Sequence, residues 1–356
     1  MIKTLHTCKK VFEVRMGLPR DRGIAHVIPL QPGAKPAYRP AYRLSPAEIT
    51  EVEKRVKELL LQGLIEPSTS PYGAPVLFVD KPNTNGELRM CVDWRLLNSR
   101  TIPNRSSIPN IQHLLDQVHG ARLITSLDLH GAYHQIRISD EDKVKTSFHT
   151  PFGSYQFCVM SEGICNATST FQAIMNQMFL KHELSHSNST TTTGTRIKLG
   201  KTVLVYLDDI LCLSPTDDPA DHAALVAEVL QLLEENEFYV KLKKCSFEKK
   251  ELRYLGHIVG NNEIRVDPTK IETVVNWPVP LNVSQVRSFN GLTCYFRKHV
   301  RAYSQMIAPL THLTKQTTPW DWTPACQTAF EDIKKALTNA PVLAIPDHSD
   351  PTGFEV

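Results

Sequence analysis

One stretch stands out in the hydrophobic pattern: Val203 to Leu213 is apolar or aromatic except for Asp208-Asp209 at its centre. Val, Ile and Tyr fill pleated, buried surfaces, so each arm reads as a buried strand and the acids as the bend between them. Upstream, Ile49, Val52, Val56, Leu59 and Leu60 share one helical face. Ser45 with Glu48 makes a capping box, Pro46 takes the first helical position, and Gly63 ends the helix. Residues 74–79 and 88–94 read as hairpin strands joined through Asn83-Thr84-Asn85-Gly86. Residues 99–110 read as loop, 111–118 as a short helix and 123–129 as a strand ending in Asp128. Asn166 is placed to cap a helix carrying Phe171, Ile174, Met175, Met178 and Phe179 inward. A further helix runs from Asp218-Pro219 to about Glu237, and residues 254–259 read as a strand turned by Asn261-Asn262.

From Asp128 to Val259 this order is strand, hairpin, helix, hairpin, helix, strand, the β-α-β-β-α-β alternation of a ferredoxin-like unit. Such a unit can bring the end of the first strand beside the central hairpin, so Asp128 is expected to join Asp208 and Asp209. Adjacent anions in an apolar hairpin repel each other and lose hydration, and no Lys or Arg lies between Val203 and Leu213 to compensate. Oxygen-only ligands favour Mg²⁺ or Mn²⁺. An Asp-Asp turn tip facing water is the bland alternative. A third converging acid favours a two-metal phosphoryl-transfer site instead.

Past residue 262 the composition shifts. Asp267-Pro268 and Asn282 with Gln285 mark helix starts, and Thr323-Pro324 opens a last helix. From Ser284 to Lys315 inclusive there are five Lys/Arg and no Asp or Glu, interleaved with Phe289, Tyr295, Phe296 and Tyr303. One-sided charge suits tracking a nucleic-acid backbone; a solvated basic face on ordinary helices is the alternative. The 356 residues are 41% hydrophobic and 22% charged, with net charge +3, which is globular and permits nucleic acid without requiring it. Eight scattered cysteines without a CxxC pair point to reduced thiols and an intracellular protein. No apolar run reaches membrane-spanning length and no signal-peptide core leads the chain, so no membrane partner is expected.

These motifs resemble the reverse transcriptases of gypsy-type LTR retrotransposons and, more distantly, those of retroviruses. The carriers include Ser70-Pro71-Tyr72-Gly73-Ala74-Pro75-Val76, Arg89-Met90-Cys91-Val92-Asp93-Trp94-Arg95, Leu127-Asp128-Leu129, Tyr206-Leu207-Asp208-Asp209 and Tyr254-Leu255-Gly256-His257. The resemblance implies an α+β right-hand polymerase with a ferredoxin-like palm, fingers and a helical thumb. Its implied segments are an extended arm (1–43), fingers and palm (44–262, with a polar insert at about 182–201), thumb (263–316), and a connection or truncated start of an RNase H-like region (317–356). It implies an RNA-directed DNA polymerase with Asp128, Asp208 and Asp209 as catalytic, metal-binding acids for two Mg²⁺ ions. Nucleotide contacts are implied for Lys81, Arg89, Gly131, Ala132, Tyr133, Glu162, Gln172 and Leu207, with Tyr133 gating against a ribose 2′-hydroxyl. Lys244 is the implied proton donor, Leu255, Gly256 and His257 the primer grip, and Arg287, Arg297, Lys298 and Arg301 nucleic-acid contacts. Implied partners are RNA template, DNA primer, deoxynucleoside triphosphates and other Pol domains (protease, RNase H, integrase), in cytoplasmic element particles or the nucleus. Ribonuclease H activity is expected to be absent from this chain.

Two departures bear on activity. Where the family reads Met-Pro-Phe-Gly-Leu-x-Asn-Ala-Pro, this chain has Met160-Ser161-Glu162-Gly163-Ile164-Cys165-Asn166-Ala167-Thr168. A carboxylate at Glu162 repels a triphosphate, so weak polymerase activity, or a decayed copy that only binds template–primer, is expected. Eight of the eleven residues from Ser185 to Thr195 are Ser or Thr, an insert-like loop. Within the insert, His182-Glu183-Leu184-Ser185-His186 matches the zinc-protease helix signature, a remote alternative without a third ligand in suitable context.

Overall fold

The computed structural model describes residues 1–80, 86–105, 108–187, 196–339, 341 and 343–344. The predicted hairpin turn at 83–86 falls largely outside them. The chain divides into two compact units: Met1–Pro109, Thr125–Cys212 and Asp218–Phe247 make the first, and Asn110–Ile124, Leu213–Asp217 and Glu248–Val356 the second. Neither unit coincides with a single stretch of sequence.

A four-stranded sheet runs in the spatial order Val203–Tyr206, Asp209–Ser214, Leu123–Asp128, Ser246–Lys249. Counted along the chain that is 2-3-1-4, which puts the first strand next to the returning arm of the hairpin. The α-helices Ala167–Ser187 and Pro219–Glu235 bury Phe171, Met175, Phe179, Val226, Val229 and Leu233 in one core with Val203, Val205, Ile210 and Cys212. Each such side chain contributes about 1.5–3 kcal/mol when fully buried. Asp218 caps the second helix through the Ala220 amide.

The fourth strand is not the one expected. Residues 254–259 are broken at Leu255-Gly256, both at positive φ (46° and 74°), so Tyr254 pairs back onto His257 across a two-residue turn. Asn261-Asn262, at φ 53° and 59°, makes the next turn. The result is a separate meander of Glu251–Tyr254, His257–Gly260 and Glu263–Val266 in the second unit, and Ser246–Lys249 takes the ferredoxin-like position. Paired positive-φ residues are what tight hairpins demand.

In the first unit a five-stranded sheet orders Ile65–Pro67, Gly153–Phe157, Phe148–Thr150, Ala74–Asp80 and Leu88–Val92. The helix Pro46–Leu61 packs Val52, Val56 and Leu59 into the same cluster. Its capping box forms as expected, and Gly63 at φ 66° closes it, its amide reaching Leu60 O while Leu64 N reaches Leu59 O.

The N-terminal arm is not wholly extended. Ile2–Thr7 is helical and Lys9–Phe12 a 3-10 turn, and Cys8 and Val11 are buried in the core beside the Pro219–Glu235 helix. Arg22 anchors the chain beyond them. It donates to the carbonyls of Gln135, Asn236 and Glu237 and lies 3.9 Å from the Phe238 ring centre. Arg95–Arg100 is a helix that hydrophobic spacing did not reveal. Asn166 does not cap its helix: at φ 69° its side chain turns to Ile102 O and Asn104 N instead.

The second unit packs Val274, Val286, Phe289, Leu310, Phe330 and Ile333 in one cluster. Its helices start at Asp267, Asn282 and Thr323, whose side chains each accept a first-turn amide.

Candidate active site

The hairpin register pairs Val203 with Cys212 and Tyr206 with Asp209, so the two-residue tip is Leu207-Asp208 and Asp209 begins the return strand. Leu207 sits at φ 54°, a conformation costing a non-glycine residue about 1 kcal/mol or more. Gln172, only 1% exposed, holds it there: its Oε1 accepts the Leu207 amide at 2.8 Å and its Nε2 donates to Val205 O at 3.1 Å. This corrects the expectation that Gln172 touches nucleotide. Both ends of its amide are spent on the hairpin, and it is buried.

Asp128 closes its strand beside this tip. Its backbone oxygen accepts from Lys241 N (2.8 Å) and its carboxylate from Lys244 Nζ (3.2 Å). Burial raises the Asp208 carboxyl, the charges of Asp128 and Glu162 add to that, and Lys244 opposes it. Asp209 is pushed up to about 6, first by burial and then by Asp208 and Asp128. Among the described residues no three His, Cys, Asp or Glu are grouped closely enough to hold an ion as they stand. The acids feel one another's charge, and Lys244 offsets part of it at Asp128. Their all-oxygen donor set fits a hard divalent cation.

Tyr133 follows Gly131 (φ 53°) and buried Ala132 on a 3-10 turn, with its ring 5.8 Å from Phe171. Burial, with Asp208 and Glu162 nearby, pushes its hydroxyl up to about 12, so it stays protonated. A cavity of about 330 Å³ is lined by Tyr133 and Asp208 together with Arg89, Glu162, Gly163 and Thr168. Next to it lies a cleft of about 720 Å³ edged by Lys54, Arg55, Arg89, Lys241 and Lys244 and by Glu51, Glu58 and Glu162, which pair with the first three. Lys54, Arg55 and Lys241 were not singled out in sequence; the Lys241-Leu242-Lys243-Lys244 run was the available signal. Arg89 makes an ion pair with Glu162. Leu207 is half-buried at the tip, and Lys81 lies outside the described residues.

In the second unit, Leu255 and Gly256 occupy the tight turn, with Leu255 O accepting from Tyr295 Oη at 2.6 Å. His257 is 1% exposed, its ring among those of Tyr295, Phe296 and His299. Its side chain therefore cannot grip a primer, a correction imposed by strand alternation, which turns it into the core. Arg287, Arg297, Lys298 and Arg301 are exposed, though Arg287 already donates to Thr314 O. Of the zinc-protease signature, His182 and Glu183 are spent on structure. His182 Nε2 meets Glu228 Oε1 at 3.0 Å and Glu183 accepts the Leu199 amide.

The fold around these residues is that of an α+β right-hand polymerase. Solved foamy viral protease-reverse transcriptase in complex with double-stranded DNA is similar over 98% of this chain and 58% of its own, at TM-score 0.79 and 21% identity. The complex with RNA/DNA hybrid matches at TM-score 0.76 over 95% of this chain and 43% of its own, also at 21% identity.

The family model described as reverse transcriptase (RNA-dependent DNA polymerase) matches residues 79–259, half of the chain, and the chain belongs to that family. Similar relatives include the retrovirus-related Pol polyprotein from transposon 297 of Drosophila melanogaster, 36% identical over 88% of this chain. The Pol polyprotein from transposon gypsy of the same species is 32% identical over 89%, and the transposon Tf2-3 polyprotein of Schizosaccharomyces pombe 32% over 86%. The chain spans 28%, 30% and 22% of these relatives' lengths, respectively.

Proposed function

We propose that the chain is the polymerase core of a retrotransposon Pol polyprotein, extending a DNA primer on an RNA or DNA template with deoxynucleoside triphosphates. The observation that carries this is the acidic trio: Asp128 from a strand end and Asp208 and Asp209 from a hairpin tip, mutually repelling, with Lys244 beside them at the edge of the neighbouring cleft. Asp128, Asp208 and Asp209 would hold divalent cations, two Mg²⁺ in this reading. When bound there, these ions would supply the positive charge that lowers the pKa of a primer 3′-hydroxyl and balances a leaving pyrophosphate. Arg89 offers a planar fork to phosphate oxygens. Tyr133, braced by Phe171, excludes a ribose 2′-hydroxyl, and Lys244 protonates pyrophosphate as it leaves. Gln172 keeps Leu207 and hence Asp208 in place without touching substrate. The exposed basic residues of the second unit, thumb-like in this reading, contact the duplex backbone. Protease, RNase H and integrase segments of the same polyprotein are the proposed partners.

A second reading, a copy that binds template–primer without catalysis, is favoured by one observation: Arg89 is already paired with Glu162. Extension of oligo(dT) on poly(rA) with Mg²⁺ separates the two. Incorporation that Asp208→Asn abolishes supports the polymerase; tight duplex binding with no incorporation supports the second reading.

A further inference from the structure

The cavity that holds Asp208 and Tyr133 and the larger cleft share two lining residues, Arg89 and Glu162. Those two form an ion pair between Arg89 Nη2 and Glu162 Oε2, so the pair stands at the partition between the cavities. Neither residue arrives there on a loose segment. Arg89 lies on the strand Leu88–Val92, in register opposite Val79. Glu162 is flanked by Ser161, which is 6% exposed and accepts from Trp94 Nε1 at 3.3 Å. On its other side Gly163, at φ 83°, gives its carbonyl to Asn98 Nδ2 at 2.9 Å. The turn therefore presents the carboxylate to Arg89 from a held backbone.

We propose that Glu162 is a specificity-determining latch on the nucleotide site. This rests on the polymerase reading, which gives the Arg89 guanidinium to the triphosphate. A carboxylate and a phosphate are alternative occupants of the same planar fork. With Glu162 in place, a phosphate reaches this edge of the fork only by displacing it. A triphosphate brings more charge and more oxygens than a monophosphate, so it displaces the carboxylate at less cost in affinity, although both carry more charge than one carboxylate. The side chains are 49% and 57% exposed, so the pair opens readily and its hold is worth at most about fivefold in affinity. The carboxylate thus acts as a filter on phosphate number, and the departure from the family pattern at this position acquires a function.

The test is calorimetric titration of the full chain, loaded with 3′-dideoxy-terminated oligo(dT)·poly(rA) and Mg²⁺ so that no extension occurs, by dTTP and by dTMP. It uses the wild type, Glu162→Gln, Arg89→Ala and the double variant. Glu162→Gln is expected to tighten dTMP by up to about fivefold and dTTP by less, narrowing the preference for triphosphate. Arg89→Ala is expected to cost more affinity in the Glu162→Gln background than in the wild type, because there the fork is free to begin with. Additive effects of the two substitutions, or weaker dTTP binding by Glu162→Gln, overturn the latch while leaving the polymerase reading intact. Absence of dTTP binding in all four proteins overturns both.

Discussion

The two walls of the candidate site are built on opposite principles. The hairpin wall is half-buried, carries Asp208 on a strained tip, and is held by neutral hydrogen bonds from a fully buried amide. The Arg89–Glu162 wall is half-exposed and held by opposite charges. A buried amide that loses its partner leaves unsatisfied groups costing about 1–3 kcal/mol each, whereas an exposed ion pair is worth about 0–1 kcal/mol. Change is therefore expensive on the first wall and cheap on the second. A residue that departs from the pattern the resemblance implies, Glu162, lies on the cheap side, and the three acids that match it lie on the other.

The sharpest way to break this contrast is Asp208→Asn. It removes one charge without changing shape, and incorporation is expected to fall about 10³-fold or more, with template–primer affinity unchanged. Retained incorporation in primer extension sinks the assignment of the hairpin wall as catalytic.

Acid pH tests the same wall through its support. His26 is fully buried, with Nδ1 3.0 Å from Thr170 Oγ1 on the helix that carries Gln172, and Nε2 meets no partner among the described residues. Burial holds its pKa down to about 4, and His134 is depressed to about 4 in the same way. In the unfolded chain each titrates near 6.5, so between pH 6.5 and 4 the unfolded state binds more protons. Stability is present above 6.5 and lost as pH falls through that window, by about 3 kcal/mol for His26. Denaturant midpoints measured from pH 7 to 4 should fall accordingly, and less steeply in His26→Gln. An unchanged slope in that variant removes His26 from the account.

Gln172→Ala comes next in size. It strands the Leu207 amide and Val205 carbonyl, and a loss of about 2–3 kcal/mol is expected in chemical unfolding. Incorporation should drop alongside it because the tip is free to leave positive φ. Gln172→Met fills the same space without either hydrogen bond and should lose about as much activity as Ala. Activity kept by Met but lost by Ala would mean that packing, not the Leu207 bond, is what matters.

These residues also mark the limits of reading the sequence. Apolar patterning, caps and the spacing of Asp128 from Asp208-Asp209 sufficed for the ferredoxin-like alternation, because periodicity and N-caps are local properties. The fourth strand was misplaced because Leu255-Gly256 hides a turn inside an apolar run, and only φ values show it. Gln172 matched a nucleotide role by its place in a motif, but its direction depends on packing between a helix and a hairpin far apart in sequence. His257 failed for the same reason: alternation along a strand decides in from out, and its register was not legible. Glu162 was legible as a misplaced charge, whereas its partner was not.

The smallest expected effect is the most discriminating between the walls. Burial and mutual repulsion keep Asp208 and Asp209 raised, so a divalent cation bound there relieves repulsion in the folded state alone. Saturating Mg²⁺ at pH 7.5 should raise the thermal midpoint by about 1–2 °C, following roughly 1 kcal/mol of linkage in a chain of this size. Asp208→Asn should abolish most of that rise. Glu162→Gln should leave it nearly intact, since Glu162 adds only a minor part of the charge that raises Asp208. A shift lost equally in both variants would mean that the cation bridges the two walls, and the hairpin and the Arg89–Glu162 pair would then be one electrostatic unit rather than two.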